Sequence, residues 1–156
     1  MAGDPPAPRP AGLDERRGGM YFLTDYGRSD ELVGVVHAVL LRLAPGAPVV
    51  DLTHDIPPFS VASGARALAR AAPHLGPGVV LGVVDPGVGS TRRPVALEVA
   101  AAAGPRFWVG PDNGLLLAGA AVMGGPIAAV ELDRADAVAG EGGPVTFDGR
   151  DLFAPA

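Results

Sequence analysis

Two rhythms of apolar and polar positions run along this chain, and each change of rhythm marks an element. Met20-Tyr21-Phe22-Leu23-Thr24 is a short apolar run bounded by Asp25 and Gly27, which predicts a strand. Behind Asp30, a natural N-cap, Leu32, Val33, Val36, Val39, Leu40 and Leu43 recur at helical spacing until Pro45 and Gly46 end the helix. Pro48 to Leu52 predicts a second strand. Ser60 or Ser63 opens a second helix through Ala65, Leu68 and Ala69, and Pro73 stops it. Gly78 to Val84 is nearly continuous in apolar residues, as suits a parallel strand covered on both faces. Val95 to Ala100 and Arg106 to Val109 predict two further strands that could pair as a hairpin. Gly114 to Met123 reads as a short helix, Ile127 to Leu132 as another strand, and Val145 to Ala156 as a turn.

Strand and helix alternate through the first half. The expected fold class is therefore α/β: a central, largely parallel (mixed) sheet flanked by helices, a three-layer sandwich. In such sheets ligands gather at the carboxyl ends of the strands. Residues 1–19 carry Pro5, Pro6, Pro8 and Pro10 with charge and no periodicity, so they read as a disordered leader before a domain spanning 20–156.

Composition narrows the function classes. The 156 residues suit one domain, and 48% hydrophobic residues with few aromatics imply a core of Val, Leu, Ile and Ala. The net charge is −5, and no Lys/Arg block is long enough to track a phosphate backbone, so no nucleic-acid partner is expected. There is no cysteine, which removes disulfides, thiolate catalysis and cysteine-based zinc sites. No apolar run approaches a membrane span, and the N-terminus lacks the apolar stretch of a secretory signal. No membrane association is expected, and the expected location is the cytoplasm.

The polar residues fall where the chemistry of an α/β sheet would need them. Thr24-Asp25-Tyr26-Gly27, Asp51-Leu52-Thr53-His54-Asp55, Asp85 to Arg93 and Gly110-Pro111-Asp112-Asn113-Gly114 each follow a predicted strand or precede a helix. A fifth cluster is Thr146-Phe147-Asp148-Gly149-Arg150-Asp151. Any one of these aspartates could be a turn or cap residue bonding its own backbone. His37, inside an apolar helix, and His74, after Pro73, read as ordinary core or surface histidines. Five acidic loops converging on one sheet edge are harder to dismiss, because like charges repel unless a cation or a hydroxyl-rich ligand meets them. Ribose hydroxyls, a sulfonium, a metal ion or the neighbouring Arg92 and Arg93 are the candidates. The Asp85–Arg93 loop lacks both the Gly-Lys-Ser/Thr ending of a phosphate loop and the spacing of a dinucleotide site. It instead lets backbone approach a ligand closely, with Asp85 and Arg92 paired across the turn. Ignoring the combination, Asp25, Asp30, Asp51, His54 and Asp85 could form a metal-dependent hydrolase site.

In this order the motifs T-D-Y-G-x-x-D, D-L-T-H-D-I-P-P, D-P-G-V-G-S-x-R-R, G-P-D-N-G and T-F-D-G-R-D-L-F-A-P-A resemble the S-adenosylmethionine hydroxide adenosyltransferases, relatives of the fluorinating and chlorinating enzymes. The resemblance runs from Met20 to Ala156. It implies binding of S-adenosylmethionine and in-line attack of water or hydroxide on the ribose 5′ carbon, giving adenosine and L-methionine. It implies no metal and no cofactor beyond the substrate. Asp25 matches the carboxylate that holds the ribose hydroxyls, Phe59 an aromatic beside the ribose, and Asn113 a nucleoside-contacting asparagine. Tyr26 and Asp112 stand in the same motifs and join the expected substrate-binding set. Asp85 and Arg92 match two members of an Asp-Arg-His set that handles the attacking water.

Two departures accompany the resemblance. The third member of that set is expected as His in T-F-H-G-R, and here the position is Asp148. The resemblance also implies a homotrimer whose smaller C-terminal β-rich domain closes the neighbouring subunit's site. This sequence ends where the linker to that domain is expected. A non-catalytic or truncated adenosine-binding remnant is therefore the alternative to hydrolysis. A halide in place of water fits less well, because the halogenating relatives carry an uncharged residue where this chain has Asp85.

Overall fold

The structure, a computed structural model, describes residues 18–133 and 147–156. Six strands form one sheet: β1 (Gly19–Thr24), β2 (Val49–Thr53), β3 (Gly78–Val83), β4 (Pro94–Val99), β5 (Pro105–Pro111) and β6 (Pro126–Glu131). Three α-helices connect them, α1 (Leu32–Leu43), α2 (Val61–Ala71) and α3 (Leu117–Val122). A 3₁₀ turn (Ala72–His74) follows α2, and a π-helical turn (Gly149–Phe153) lies near the C-terminus. The strand order is β2-β1-β3-β5-β4-β6. β2, β1, β3 and β5 are parallel neighbours, and β4 runs antiparallel between β5 and β6. The predicted α/β class and mixed, mostly parallel sheet are thus what the chain forms.

Helices on both faces make three layers, with one core on each face of the sheet. Under α2 and α3 lie Leu68, Val80, Val84, Trp108, Leu115 and Leu116. Under α1 and the terminal π-helical turn lie Phe22, Val36, Leu40, Leu81, Val83 and Phe153. Burying such side chains stabilises by about 1.5–3 kcal/mol each. Trp108 can lie flat beneath α3 because Gly119 has no side chain: a methyl there would sit 2.6 Å from the indole. The indole N–H donates to Pro105 O at 3.0 Å, so no polar atom of the tryptophan is stranded. No helix among the described residues is long and apolar enough to cross a membrane.

β1 begins one residue earlier than its apolar run suggests. Gly19 N donates to Pro77 O at 2.9 Å, and Gly19 pairs with Gly78. Gly78 has φ +148°, and a methyl there would meet Gly19 O at 1.9 Å, so only glycine fits. Of the expected leader 1–19, residues 1–17 lie outside the described residues, as do Val145 and Thr146. The segment expected as a simple turn at the C-terminus instead buries Leu152 and Phe153 against the sheet. The predicted hairpin of the fourth and fifth strands forms, with Leu97 opposite Trp108.

This order places the site. The chain leaves β1 through α1 for β2 on one side, then crosses back through α2 to β3 on the other. Strand order reverses between β1 and β3, and crevices at such switch points are where open α/β sheets take ligands. Asp25 directly follows β1, and Asp85 lies two residues past β3.

Candidate functional site

A cleft of about 330 Å³ opens at this switch point. Asp25, Tyr26, Phe59, Asp85, Phe147, Asp148 and Gly149 line it, with Leu32, Pro58, Val83 and Val88 as apolar wall. Among these lining residues three are carboxylates and none is basic. A site of that charge favours a cation and disfavours an anion.

On one rim, Asp25 Oδ2 accepts the backbone N–H of Phe59 at 2.7 Å. Phe59 has φ +62°, a left-handed conformation that costs a bulky residue about 1–2 kcal/mol. It also leaves the ring 66% exposed. An exposed aromatic held in a strained backbone is a device for presenting a ring, not for filling a core. Asp25 thus lines the cleft and anchors the Phe59 backbone together.

On the opposite rim, Arg92 joins two carboxylates. Its Nε donates to Asp85 Oδ1 at 3.1 Å, and its Nη2 donates both to Asp85 Oδ2 and, at 2.9 Å, to Asp148 Oδ2. All three side chains are more than nine-tenths buried. The guanidinium lies 5.3 Å from the centre of the Phe153 ring, so Asp148, the cap of the π-helical turn, and Phe153 at its end both hold Arg92 in place. Asp85 Oδ1 also accepts Gly87 N–H at 3.0 Å, which makes Asp85 a turn residue and a member of the ion pair together.

Tyr26 forms the floor. Its ring meets Phe147 edge to face at 5.1 Å and Phe22 at 6.4 Å. Burial, reinforced by Asp25, Asp85 and Asp148, pushes its phenol far above the ordinary tyrosine value. Tyr26 therefore remains a neutral hydroxyl. Gly149 makes room for it: a methyl at Gly149 would lie 2.1 Å from the Tyr26 oxygen.

The remaining expected residues lie elsewhere. Asp112 pairs with Arg93 on the surface and does not line the cleft. Asn113 is tied to the chain's own backbone: Nδ2 donates to Val84 O at 2.9 Å and Oδ1 accepts Leu115 N–H at 3.1 Å. It therefore pins the segment leading into Asp85, outside the cleft lining. Asp51 and His54 do not line the cleft, and Asp30 accepts the Leu32 N–H at the start of α1. The five residues of the metal-hydrolase reading thus divide among separate places. Sequence reasoning gave no role to Phe147, Gly149 or Phe153. They stand inside the T-F-D-G-R-D-L-F motif, but only its charged members invite attention.

Comparisons with known proteins show the family of the chain and the likeness of its fold to solved structures. A family model described as the SAM hydroxide adenosyltransferase N-terminal domain matches residues 20–156. An (R)-S-adenosyl-L-methionine hydrolase of Salinispora tropica is 53% identical over 134 residues, covering 86% of this chain and 49% of that protein. A fluorinase of an Actinoplanes species is 28% identical over 153 residues, covering 85% of this chain and 51% of its own length. A crystal structure of an uncharacterised conserved protein from Thermotoga maritima superposes with a TM-score of 0.78 at 36% identity, covering 87% of this chain and 51% of that one. The chain spans about half the length of the curated relatives it matches. Matched from residue 20 to residue 156, this chain belongs to the SAM hydroxide adenosyltransferase N-terminal domain family.

Proposed function

We propose that this chain carries the nucleoside-binding and water-handling half of an S-adenosylmethionine hydrolase. The observation that carries the reading is the Asp85–Arg92–Asp148 ion-pair network facing Asp25 and Phe59 across one acidic cleft. The Asp25 carboxylate accepts ribose hydroxyls, and the Phe59 ring covers the sugar. The negative lining attracts the sulfonium.

Chemically, the reaction needs little more. The oxygen of water or hydroxide attacks the ribose 5′ carbon in line, and the carbon–sulfur bond breaks. Its electron pair returns to sulfur and converts the sulfonium into the thioether of L-methionine. The leaving group is neutral when it departs, so no general acid is required. The attacking water loses its proton to Asp85 or Asp148, both held in place by Arg92. Positioning of a poor nucleophile and a nearby base are the two effects that lower this barrier. A halide has no proton to give and is repelled by the same carboxylates. Homotrimeric assembly, as the family resemblance implies, would add a wall from a neighbouring subunit.

Asp148 in place of the expected His favours one second reading, a domain that binds adenosine or S-adenosylmethionine without turnover. Incubating the chain with S-adenosylmethionine and separating the products chromatographically tests both. Hydrolysis predicts equal release of adenosine and L-methionine, suppressed by Asp85→Asn. Ligand retained unchanged establishes the second reading, and no binding at all overturns both.

A further inference from the structure

Outside the cleft, on the far side of β1, three ligating groups meet. His37 reaches from α1 to the edge strand, its Nε2 2.8 Å from Asp51 Oδ1 in β2. His54, the first residue past β2, places its Nε2 3.1 Å from the same oxygen. The three ligand atoms all lie within 4.8 Å of one another. Neither the family resemblance nor the proposed reaction uses this cluster.

Two features make it more than a surface grouping. His54 is 1% exposed, and its Nε2 is sealed from solvent, 3.1 Å from Asp51 Oδ1 but poorly aligned for a hydrogen bond to it. Buried polar groups are nearly always satisfied, so this atom wants an explanation. Its other nitrogen, Nδ1, lies 2.8 Å from Thr24 Oγ1. In one tautomer the hydroxyl donates to Nδ1 and Nε2–H faces Asp51. In the tautomer whose Nδ1–H donates to that hydroxyl, Nε2 turns a bare lone pair toward a carboxylate, and two acceptors side by side call for a cation between them. Metal-bound histidines characteristically donate the second ring N–H in this way. Both imidazoles also rest on one buried ring: Phe22 lies 4.8 Å from His54 and 6.0 Å from His37.

Around a tetrahedral zinc ion, nitrogen and oxygen ligands at about 2.0–2.2 Å stand roughly 3.3 Å apart. The two distances to Asp51, 2.8 and 3.1 Å, are near that value, and the partly exposed His37 and Asp51 are the side chains that would turn to complete the geometry. His37 and Asp51 are 36% and 32% exposed, which leaves a route in for the ion and room for water ligands. Imidazole-rich donors select zinc, cobalt or nickel over magnesium or calcium.

We propose that His37, Asp51 and His54 form a site for a divalent transition-metal ion. The ion clamps α1 to the edge strand. Through Thr24 it also steadies the loop bearing Asp25 and Tyr26, without entering the adenosyl chemistry.

The test uses chelator-treated chain titrated calorimetrically with zinc chloride. Cobalt(II) chloride, followed by its visible absorption, serves as a second probe. The sequence has three histidines, so His74→Ala is an internal control. One equivalent of zinc should bind to the wild type and to His74→Ala, and cobalt should develop a ligand-field band. His37→Ala and Asp51→Asn, both at partly exposed positions, should lose at least about tenfold in affinity, the lower bound for groups that merely orient a ligand. Zinc should raise the melting temperature of the wild type and not that of His37→Ala. Binding that is absent, or equally tight in wild type and His37→Ala, or lost in His74→Ala, overturns the assignment.

Discussion

Asp25 and Phe59 are joined across 34 positions of chain by one hydrogen bond, carboxylate oxygen to backbone N–H at 2.7 Å. The bond explains how a loop residue with φ +62° is tolerated, because the strained peptide gains a charged acceptor. It also couples the two halves of the proposed ribose site.

That coupling separates three substitutions. Asp25→Ala removes both the ligand contact and the anchor of Phe59. It is expected to weaken adenosine binding by about 1.5–3 kcal/mol, on the order of tenfold to a hundredfold. Phe59→Ala removes only the ring face, about 1–3 kcal/mol of stacking, and leaves the fold intact because the ring is exposed. Phe59→Gly relieves the left-handed strain, so its melting temperature should equal or exceed that of the wild type while binding falls. Calorimetric titration with adenosine and thermal unfolding together read both effects. Equal, small changes in all three variants would sink the coupling.

Asp85, Arg92 and Asp148 act as one buried network and should respond as one. Arg92→Leu removes the cation shared by two buried carboxylates and is expected to cost about 3–5 kcal/mol of stability by denaturant titration. Asp85→Asn keeps the shape of the site and removes a base, so kcat should fall by about 100-fold or more with KM little changed. Asp148→His restores the residue the family pattern expects and should raise the rate of adenosine release. A rise in KM without a fall in kcat for Asp85→Asn would assign Asp85 to binding instead.

Tyr26 sets an alkaline limit. In the unfolded chain a phenol ionises near about pH 10. In the folded chain burial and three carboxylates raise that value, so the native state keeps a proton that the unfolded state releases. The Tyr26 contribution is therefore complete below the unfolded value and is lost as pH rises through it toward the folded one. Two tyrosines are present, so the measurement belongs in a Tyr21→Phe background. Tyrosinate absorbance should appear only together with alkaline unfolding. Tyr26→Phe should flatten the loss of stability on the alkaline side.

Much of this architecture was legible from periodicity. α1 and α2 announce themselves through helical spacing and their Pro or Gly stops, and β3 through its continuous apolar run. Asp25 and Asp85 could be placed because both follow strands. Yet Asp51, inside β2, and Asp112, just past β5, carry the same acidic signal, and one pairs with histidines while the other pairs with Arg93. A strand-end signal does not tell which side of a switch point a loop will occupy, since that depends on strand order. His37 looked like an ordinary histidine because its partner Asp51 comes from the neighbouring strand, fourteen positions away. The π-helical turn was missed because five residues are too few for a period, and Leu152 and Phe153 gain their importance only from the sheet they cover.

The bare α-carbon of Gly149 limits how this pocket can be reshaped. Any side chain there would collide with the Tyr26 hydroxyl, 2.1 Å from where a methyl would stand. Under the proposed hydrolysis, attempts to redirect the reaction toward another nucleophile therefore have Asp85 and Asp148 as their adjustable positions. The glycine between the acid and Arg150 is a position that directed evolution should find closed.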